Sequence, residues 1–390
     1  MNQDDQTEQK ESSTISGGPA PKPKLSRIKS ILFSVLANLA ILILIALSAE
    51  FYLSRTAAKF DIAVIQAKYP RIQDRAGKVE AGRNPDTKIP HSIIYDQYGL
   101  YDSTTLRQPP AKDVFRIALF GDSFVENLGL SWDEGLAAQL EKCLRRDGFN
   151  IEVINAGFSG IGSVRELELM HELLPQLHPN LALLNWFNND LLENLNEQYS
   201  KSPPKINFLA RSYLYNFFNY KINNLEYETF KSLYSIFFIH GEMEKNTKIE
   251  LDITKQVFDQ MQKLSSRYQC RFGVVTVPNA ISFSEITTKE AYADICARTG
   301  KKLKDFRPGQ PYYFIAKIAM DQNIPVYPFL FNDFKRILSQ VPPQTMEARQ
   351  LLFFASDPHW NEKGCAFAAE AICVWLQTNN LLINESAKAD

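Results

Sequence analysis

The chain has 390 residues, of which 45% are hydrophobic and 22% are charged, so it can bury one large core beside a small accessory region. Its 43 basic and 44 acidic residues give a formal net charge of -1. This balance argues against a basic surface that would bind phosphate backbones without sequence preference. We therefore expect one globular domain and no nucleic-acid partner.

The first 53 residues divide into a polar tail and an apolar stretch. Residues 1–25 cannot bury enough apolar surface to order themselves, which predicts a disordered cytoplasmic tail. Residues 29–53 are predicted to be a transmembrane anchor, because the uncharged run from Ile31 to Ala49 is long enough to cross the hydrocarbon core. The flanking basic residues are Lys22, Lys24, Arg27 and Lys29. Basic flanks favour the cytoplasmic side, so we expect a single-pass inner-membrane protein with its N-terminus in the cytoplasm and the domain that follows the anchor outside the cytoplasm.

A cleaved signal peptide is the alternative for this apolar stretch. Residues 46–48 supply small side chains at plausible cleavage positions. The stretch is nevertheless longer than the roughly 7 to 15 residues of a typical signal sequence, and the polar segment before it is unusually long. These two features favour an anchor that is retained.

The rest of the chain alternates apolar runs with helical patterns. Residues 54–112 carry proline and glycine punctuation, which predicts a stalk and an approach segment, and the domain proper is predicted at 113–380. Strands are predicted at 115–121, 151–155, 181–186, 271–277 and 324–328, with helices between them and a closing helix over 362–377. This rhythm predicts an α/β domain with a doubly wound, mostly parallel sheet and helices on both faces.

Two features do not fit that rhythm. The segment 197–245 is rich in aromatic residues and is predicted to be an insertion that acts as a lid or cap, although such stripes more often serve packing. The five cysteines are scattered without the spacing of a zinc site or a disulfide framework, which leaves a Cys270–Cys296 bridge open.

Polar residues follow several of the predicted strands, where an open parallel sheet binds its ligands. Ser123, in Gly-Asp-Ser, follows the first strand and can attack a substrate if a base takes its proton. Gly160 lies in a glycine-containing loop after the second strand, and Asn189 follows the third. Their N–H groups are candidates to stabilise an oxyanion. His359 and Asp357, before the last helix, supply an imidazole and a carboxylate.

These four blocks, in this order over residues 113–378, resemble the SGNH (GDSL-like) hydrolase superfamily. The resemblance implies that Ser123 is the nucleophile and that His359 is its base, oriented by Asp357. It also implies that Gly160 and Asn189, together with the Ser123 amide, form the oxyanion hole. The fold that the resemblance implies is the flavodoxin-like, three-layer arrangement of this superfamily.

The chain departs from the family pattern at two positions. Phe187 stands where the third block usually has glycine, which leaves open whether Asn189 or Asn188 is the donor of that block. The carboxylate of the last block lies two residues before His359 instead of three, which resembles the Asp-Xaa-His-Trp variant of alginate-type O-acetyltransferases. Asp357 could therefore serve as a loop cap instead of orienting the imidazole.

Together these patterns predict a serine-dependent esterase or O-acyl hydrolase or transferase acting on a cell-envelope ester, with an O-acetylated glycan as the suggested substrate. Two alternatives stay open: a catalytically silent envelope assembly or binding protein on the same scaffold, and a lysophospholipase-type lipid esterase. The sequence contains no phosphate-loop or HExxH pattern, so we expect no cofactor and no metal.

Overall fold

The computed structural model describes residues 24–56, 72–101, 109–191, 193–194, 237, 245–283, 296–297, 300, 302–343 and 345–383. The chain divides into two units, one comprising residues 1–63 and 208–217 and the other comprising the rest. The predicted tail lies outside the described residues except for Lys24 and Leu25, which begin the first helix. The predicted aromatic insertion also lies outside them, apart from Lys245, which begins a later helix, and Phe237, which is buried and stacks on Phe306.

The first unit contains one long helix, α1 (Lys24–Thr56). Its segment Lys29–Tyr52 has a mean hydropathy of 2.7 and none of it is buried. By length and composition this helix could cross a membrane, and a signal sequence near the N-terminus would have the same properties.

The second unit begins with a short 3-10 turn at Ile72–Arg75 and an antiparallel hairpin of β1 (Val79–Arg83) and β2 (Pro90–Ile94). Where the sequence predicts a stalk and an irregular approach, residues 72–101 form this hairpin. Its inner side buries Ile93 with Tyr95 and Tyr101, and this small cluster packs against Leu128 and Trp132 of the main domain.

A five-stranded parallel sheet forms the centre of the main domain, in the order β4-β3-β5-β6-β7. The strands are β3 (Phe115–Gly121), β4 (Ile151–Gly157), β5 (Leu181–Phe187), β6 (Arg271–Val277) and β7 (Val326–Tyr327). Every residue of β3 and β5 is buried, as expected for strands covered on both faces. The predicted doubly wound, three-layer α/β fold is confirmed.

Helices flank the sheet and carry the loops around its carboxyl edge. They are α2 (Ser123–Glu126), α3 (Leu136–Arg146), α4 (Ser163–Leu177), α5 (Lys245–Arg267), α6 (Gln310–Asp321), α7 (Leu330–Leu338), α8 (Met346–Gln350) and α9 (Glu362–Thr378). On the described residues, α3 packs against α9, and α4 packs against α5. Since strand order reverses between β3 and β5, the crevice at their carboxyl ends is where this fold binds ligands.

One disulfide joins two of these helices. Cys143 of α3 pairs with Cys373 of α9, with their Cα atoms 6.5 Å apart. The bridge left open by the sequence does not form, because Cys270 is a free, buried thiol whose sulfur donates to the carbonyl of Arg271. Scattered cysteines whose partners are 230 residues apart carry no local spacing signal.

Candidate active site

Ser123 begins α2 directly beyond β3, at the predicted strand-to-helix turn. The carboxylate of Asp122 caps this short helix by accepting the backbone N–H of Phe124 at 2.9 Å. Gly157, at the end of the neighbouring strand β4, lets the backbone of α2 lie directly against it, because a Cβ there would collide with the amide of Glu126. The serine hydroxyl is thereby held at the carboxyl edge of the sheet.

The structure brings Ser123, His359 and Asp357 into one line. Ser123 Oγ lies 2.7 Å from His359 Nε2, and His359 Nδ1 contacts the Asp357 carboxylate. Asp357 also accepts the backbone N–H of His359 at 2.9 Å, so it caps the loop and orients the ring at once. The shorter spacing in the last block therefore still allows the carboxylate to reach the imidazole.

The electrostatics of Asp357 suit an ionised partner of the imidazole. Burial on its own would raise the pKa of this carboxyl. The hydrogen bond and charge of His359, its backbone N–H and the charge of Arg349 outweigh burial and lower the pKa below its ordinary value. Asp357 is therefore negative at neutral pH.

Aromatic rings support the imidazole from below. The ring of Phe124 lies 4.6 Å from that of His359, 5.2 Å from Trp360 and 4.7 Å from Phe187, centroid to centroid. Phe187, which replaces the usual glycine of the third block, therefore packs against Phe124, the residue that follows Ser123. Trp360 is fully buried and its indole N–H donates to the carbonyl of Pro278 at 2.8 Å, which fixes the residue that follows the histidine.

Gly160 lies in the loop after β4, with a left-handed backbone (φ 77°) that favours glycine. The loop is joined to the nucleophile turn, because the N–H of Phe158 donates to the carbonyl of Gly121 at 3.0 Å. Ser159, directly before Gly160, lines the same cavity as Ser123. The predicted loop is therefore beside the nucleophile.

Asn189 lies beyond β5, near the acid that precedes the nucleophile. Its amide donates to Glu193 Oε1 at 3.2 Å. Burial raises the pKa of Asp122, and the hydrogen bond from the Phe124 N–H and the charge of His359 oppose that rise without cancelling it. Asn188, the neighbouring alternative, is 3% exposed.

A carboxylate that the sequence did not single out holds the loop of residues 158–160, which carries the predicted oxyanion donor and is called the oxyanion loop below. Glu126, fully buried on α2, accepts both the backbone N–H of Ser159, at 2.7 Å, and its hydroxyl. The same carboxylate pairs with Arg75, whose guanidinium lies 3.8 Å from the centre of the Phe158 ring. An acidic residue three positions after the nucleophile is the only local signal, and it does not identify a partner 33 residues away.

A cavity of about 190 Å³ is lined by Ser123 and His359. Its apolar walls are Pro85, Leu128, Leu130, Phe354 and Trp360. Pro85 belongs to the turn of the N-terminal hairpin, so the hairpin forms part of the wall. The sequence placed that segment outside the domain and gave no indication of this role.

Neither a protein-family model nor a curated protein matches the chain. Several solved structures do. TesA is 15% identical with a TM-score of 0.38, covering 67% of this chain and 98% of its own. A catalytic mutant of Axe2, an acetylxylan esterase from Geobacillus stearothermophilus, is 13% identical with a TM-score of 0.38 over 67% and 94%. A GDSL-like lipase from Bacteroides thetaiotaomicron is 13% identical with a TM-score of 0.34 over 71% and 93%. The fold assignment rests on the sheet order itself.

Proposed function

We propose that the chain is a membrane-anchored SGNH-type serine esterase or acyltransferase that acts on a small acyl ester of the cell envelope. The observation that carries the proposal is the line from Ser123 through His359 to Asp357, with 2.7 Å between the hydroxyl and the imidazole. This is the geometry of a nucleophile, a general base and its orienting carboxylate.

The chemistry follows from the positions of these atoms. As Ser123 Oγ attacks the ester carbonyl, its proton passes to His359 Nε2, and ionised Asp357 stabilises the imidazolium through Nδ1–H. The negative oxygen of the tetrahedral intermediate is held by N–H groups of Ser123, Gly160 and Asn189. Collapse of the intermediate releases the alcohol, protonated by His359, and leaves an acyl-Ser123 ester. His359 then activates water, or an acceptor hydroxyl in a transferase, to release the acyl group.

The cavity supports a short acyl group. Its volume of about 190 Å³ is close to the roughly 150 Å³ cavity that accommodates benzene, which corresponds to a chain of a few carbons. Acetyl to butyryl groups fit within its apolar walls, whereas a longer acyl chain would extend beyond them. An O-acetylated glycan is the corresponding envelope substrate.

The disulfide and the apolar helix support the location. Disulfides persist in oxidising compartments, and Cys143–Cys373 lies in the proposed catalytic domain. Helix α1 has the length and composition of an anchor, and Arg27 and Lys29 precede its apolar stretch. A single-pass protein with its N-terminus in the cytoplasm and its catalytic domain outside the cytoplasm satisfies both features.

The test is ester hydrolysis by the full-length chain in detergent micelles, on p-nitrophenyl acetate, butyrate and octanoate. Ser123→Ala and His359→Ala should each lower kcat by at least about 10³-fold. Ser266→Ala and His171→Ala, which change the same residue types outside the catalytic line, should keep full activity. A fluorophosphonate probe should label the wild type and fail to label Ser123→Ala.

The outcomes separate the candidate functions. Acetate cleavage that exceeds octanoate cleavage supports the small-acyl enzyme, whereas the reverse order points to a lipid esterase. Labelling of Ser123 without hydrolysis points to a transferase that awaits its acceptor. Absence of both labelling and hydrolysis would leave the assembly or binding protein as the better hypothesis.

A further inference from the structure

The hairpin before the main domain ends in a rigid turn. Asn84 Oδ1 accepts the backbone N–H groups of Asp86 and Thr87, each at 3.0 Å, and the Asn84 carbonyl accepts the N–H of Lys88 at 3.0 Å. These bonds fix residues 84–88 as a compact loop. Side chains presented from this turn therefore have defined positions.

One such side chain, Asp86, reaches the loop that carries the catalytic base. Its carboxylate accepts the backbone N–H of Ala355 at 2.7 Å, and the N–H and hydroxyl of Ser356 at 3.1 Å each. The same hydroxyl also lies 3.1 Å from the carbonyl of Pro85. A charged acceptor makes stronger hydrogen bonds than a neutral one, so this is a firm link across 269 residues of chain.

The other anchors of the base loop lie on either side of these two residues. The N–H of Phe354 donates to the carbonyl of His359 at 3.1 Å, and the carbonyl of Pro358 accepts the N–H of Ala280 at 3.2 Å. Among the described residues, Asp86 is the side chain that holds positions 355 and 356, directly before Asp357. Its loss would free that stretch of backbone and shift the carboxylate that orients His359.

The hairpin is itself fixed to the domain, so it can act as a support. The Tyr101 hydroxyl donates to the carbonyl of Leu130 at 3.1 Å, and His91 Nε2 lies 3.1 Å from the carbonyl of Leu128. Arg75 adds the ion pair with buried Glu126. The turn that carries Asp86 therefore belongs to a segment that is packed firmly on the main domain.

We propose that Asp86 is a positioning residue for the Asp357–His359 pair, and that the hairpin is a working part of the active site instead of a spacer. This inference rests on the proposed serine-esterase function. Asp86 touches no reacting atom. Its effect is to hold the backbone of the base loop so that the imidazole stays in line with Ser123.

The experiment compares the full-length wild type with Asp86→Ala, Asp86→Asn and the control Glu80→Ala, which removes an exposed carboxylate from the same hairpin. We measure kcat and KM on p-nitrophenyl acetate, and both the rate and the final stoichiometry of fluorophosphonate labelling. We expect Asp86→Ala to lower kcat and the labelling rate together by about 10- to 100-fold, with KM within about twofold. Labelling should still reach the wild-type stoichiometry.

A positioning role also predicts partial recovery in Asp86→Asn, since its amide oxygen can accept up to two of the three hydrogen bonds. Amide hydrogen exchange of the peptide spanning 350–360 should speed up in Asp86→Ala and stay unchanged in Glu80→Ala. This readout does not depend on turnover.

Each other outcome gives a definite answer. An unchanged labelling rate in Asp86→Ala, or reduced stoichiometry with a normal rate for the labelled fraction, would overturn the positioning role, because the second pattern reflects misfolded molecules. If the wild type is not labelled at all, the proposed serine-esterase function itself fails. Faster exchange at 350–360 would then show that Asp86 holds the loop without serving catalysis, which equally overturns the inference.

Discussion

Two loops flank Ser123, and each is held by a carboxylate from another part of the chain. The loop that carries His359, residues 354–360, is held by Asp86, which is partly buried on the hairpin turn and accepts hydrogen bonds from neutral N–H and O–H donors. The oxyanion loop is held by Glu126, which is fully buried and paired with Arg75. The comparison indicates that replacing a partly exposed supporting carboxylate changes the loop with little effect on the free energy of unfolding. Replacing a buried, paired one changes both the loop and the free energy of unfolding.

The largest expected effect is at the buried support. Glu126→Gln leaves Arg75 without its anionic partner and puts an amide N–H2 where acceptors are needed. We expect a loss of about 3 kcal/mol in the free energy of unfolding, the low end for breaking a buried pair because the Arg75 side chain stays 18% exposed. Activity should fall by up to about 100-fold as the Gly160 loop shifts. Urea denaturation and p-nitrophenyl acetate kinetics check both.

Glu80→Gln is the matched control, because Glu80 is exposed and should change neither quantity. If Glu126→Gln is as stable as the wild type, the two supports do not differ as argued here. Combining Arg75→Met with Glu126→Gln sharpens the test, since the pair interaction should appear as a coupling energy above about 0.5 kcal/mol.

The base side of the site should also select the substrate. Gly129 lies between the hairpin turn and the base loop, where a Cβ would meet Pro85 at 3.1 Å and Phe354 at 3.4 Å. Its backbone conformation is one that alanine can adopt. We expect Gly129→Ala to lower kcat/KM for the butyrate ester by about 10-fold, with a smaller effect on the acetate ester. An equal loss on both esters would mean that this wall does not define the acyl site.

A third carboxylate gives the smallest effect and a baseline for the comparison. Burial, followed by the charges of Glu166, Asp122 and Glu193, raises the pKa of Asp190 well above its usual value. Its carboxylate accepts the Ser163 hydroxyl at 2.8 Å, which ties the start of α4 to the segment after β5. Asp190 therefore organises the start of α4, and this contact involves neither the loop held by Asp86 nor the loop held by Glu126.

The sign of its pH dependence follows from that raised pKa. Because the native state holds the proton more tightly than the unfolded chain, the contribution of Asp190 to stability falls as pH rises above its ordinary value of 3.8. Asp190→Asn should therefore raise Tm by about 2 °C or more at pH 8, with the gain shrinking toward pH 4. Thermal melts across this range check it, and a gain that grows toward acid pH would contradict the assignment.

The parts of the site that the sequence could predict are those carried by local pattern. Buried parallel strands are continuous apolar runs, so the ends of β3, β4 and β5 could be located, and the residues after them followed directly. Ser123 lies in a short motif at the end of β3, and His359 lies in a short motif directly before the last helix. The structure brings them together, and their catalytic roles stay predictions until the variants are tested.

The parts that could not be predicted depend on contacts between distant residues. The partners of the Asp86 carboxylate lie 269 and 270 positions away, and the two cysteines of the bridge are 230 positions apart. No local sequence pattern can therefore predict these contacts. The strand Val-Glu-Ala-Gly-Arg at 79–83 is mostly exposed and lacks alternating hydrophobicity, so its sequence does not predict a strand or a hairpin. Phe187 departs from the family motif, and its contact with Phe124, 63 positions away, has no local sequence signal.

The disulfide has a topological consequence. Cys143 and Cys373 close a covalent ring of backbone that contains both Gly160 and His359, while Ser123 lies on the free arm outside it. Ser123 therefore meets Gly160 and His359 only through non-covalent packing. A single break in the backbone between the cysteines would open the ring yet leave both pieces of the chain joined by the disulfide, so all three residues would remain in one molecule.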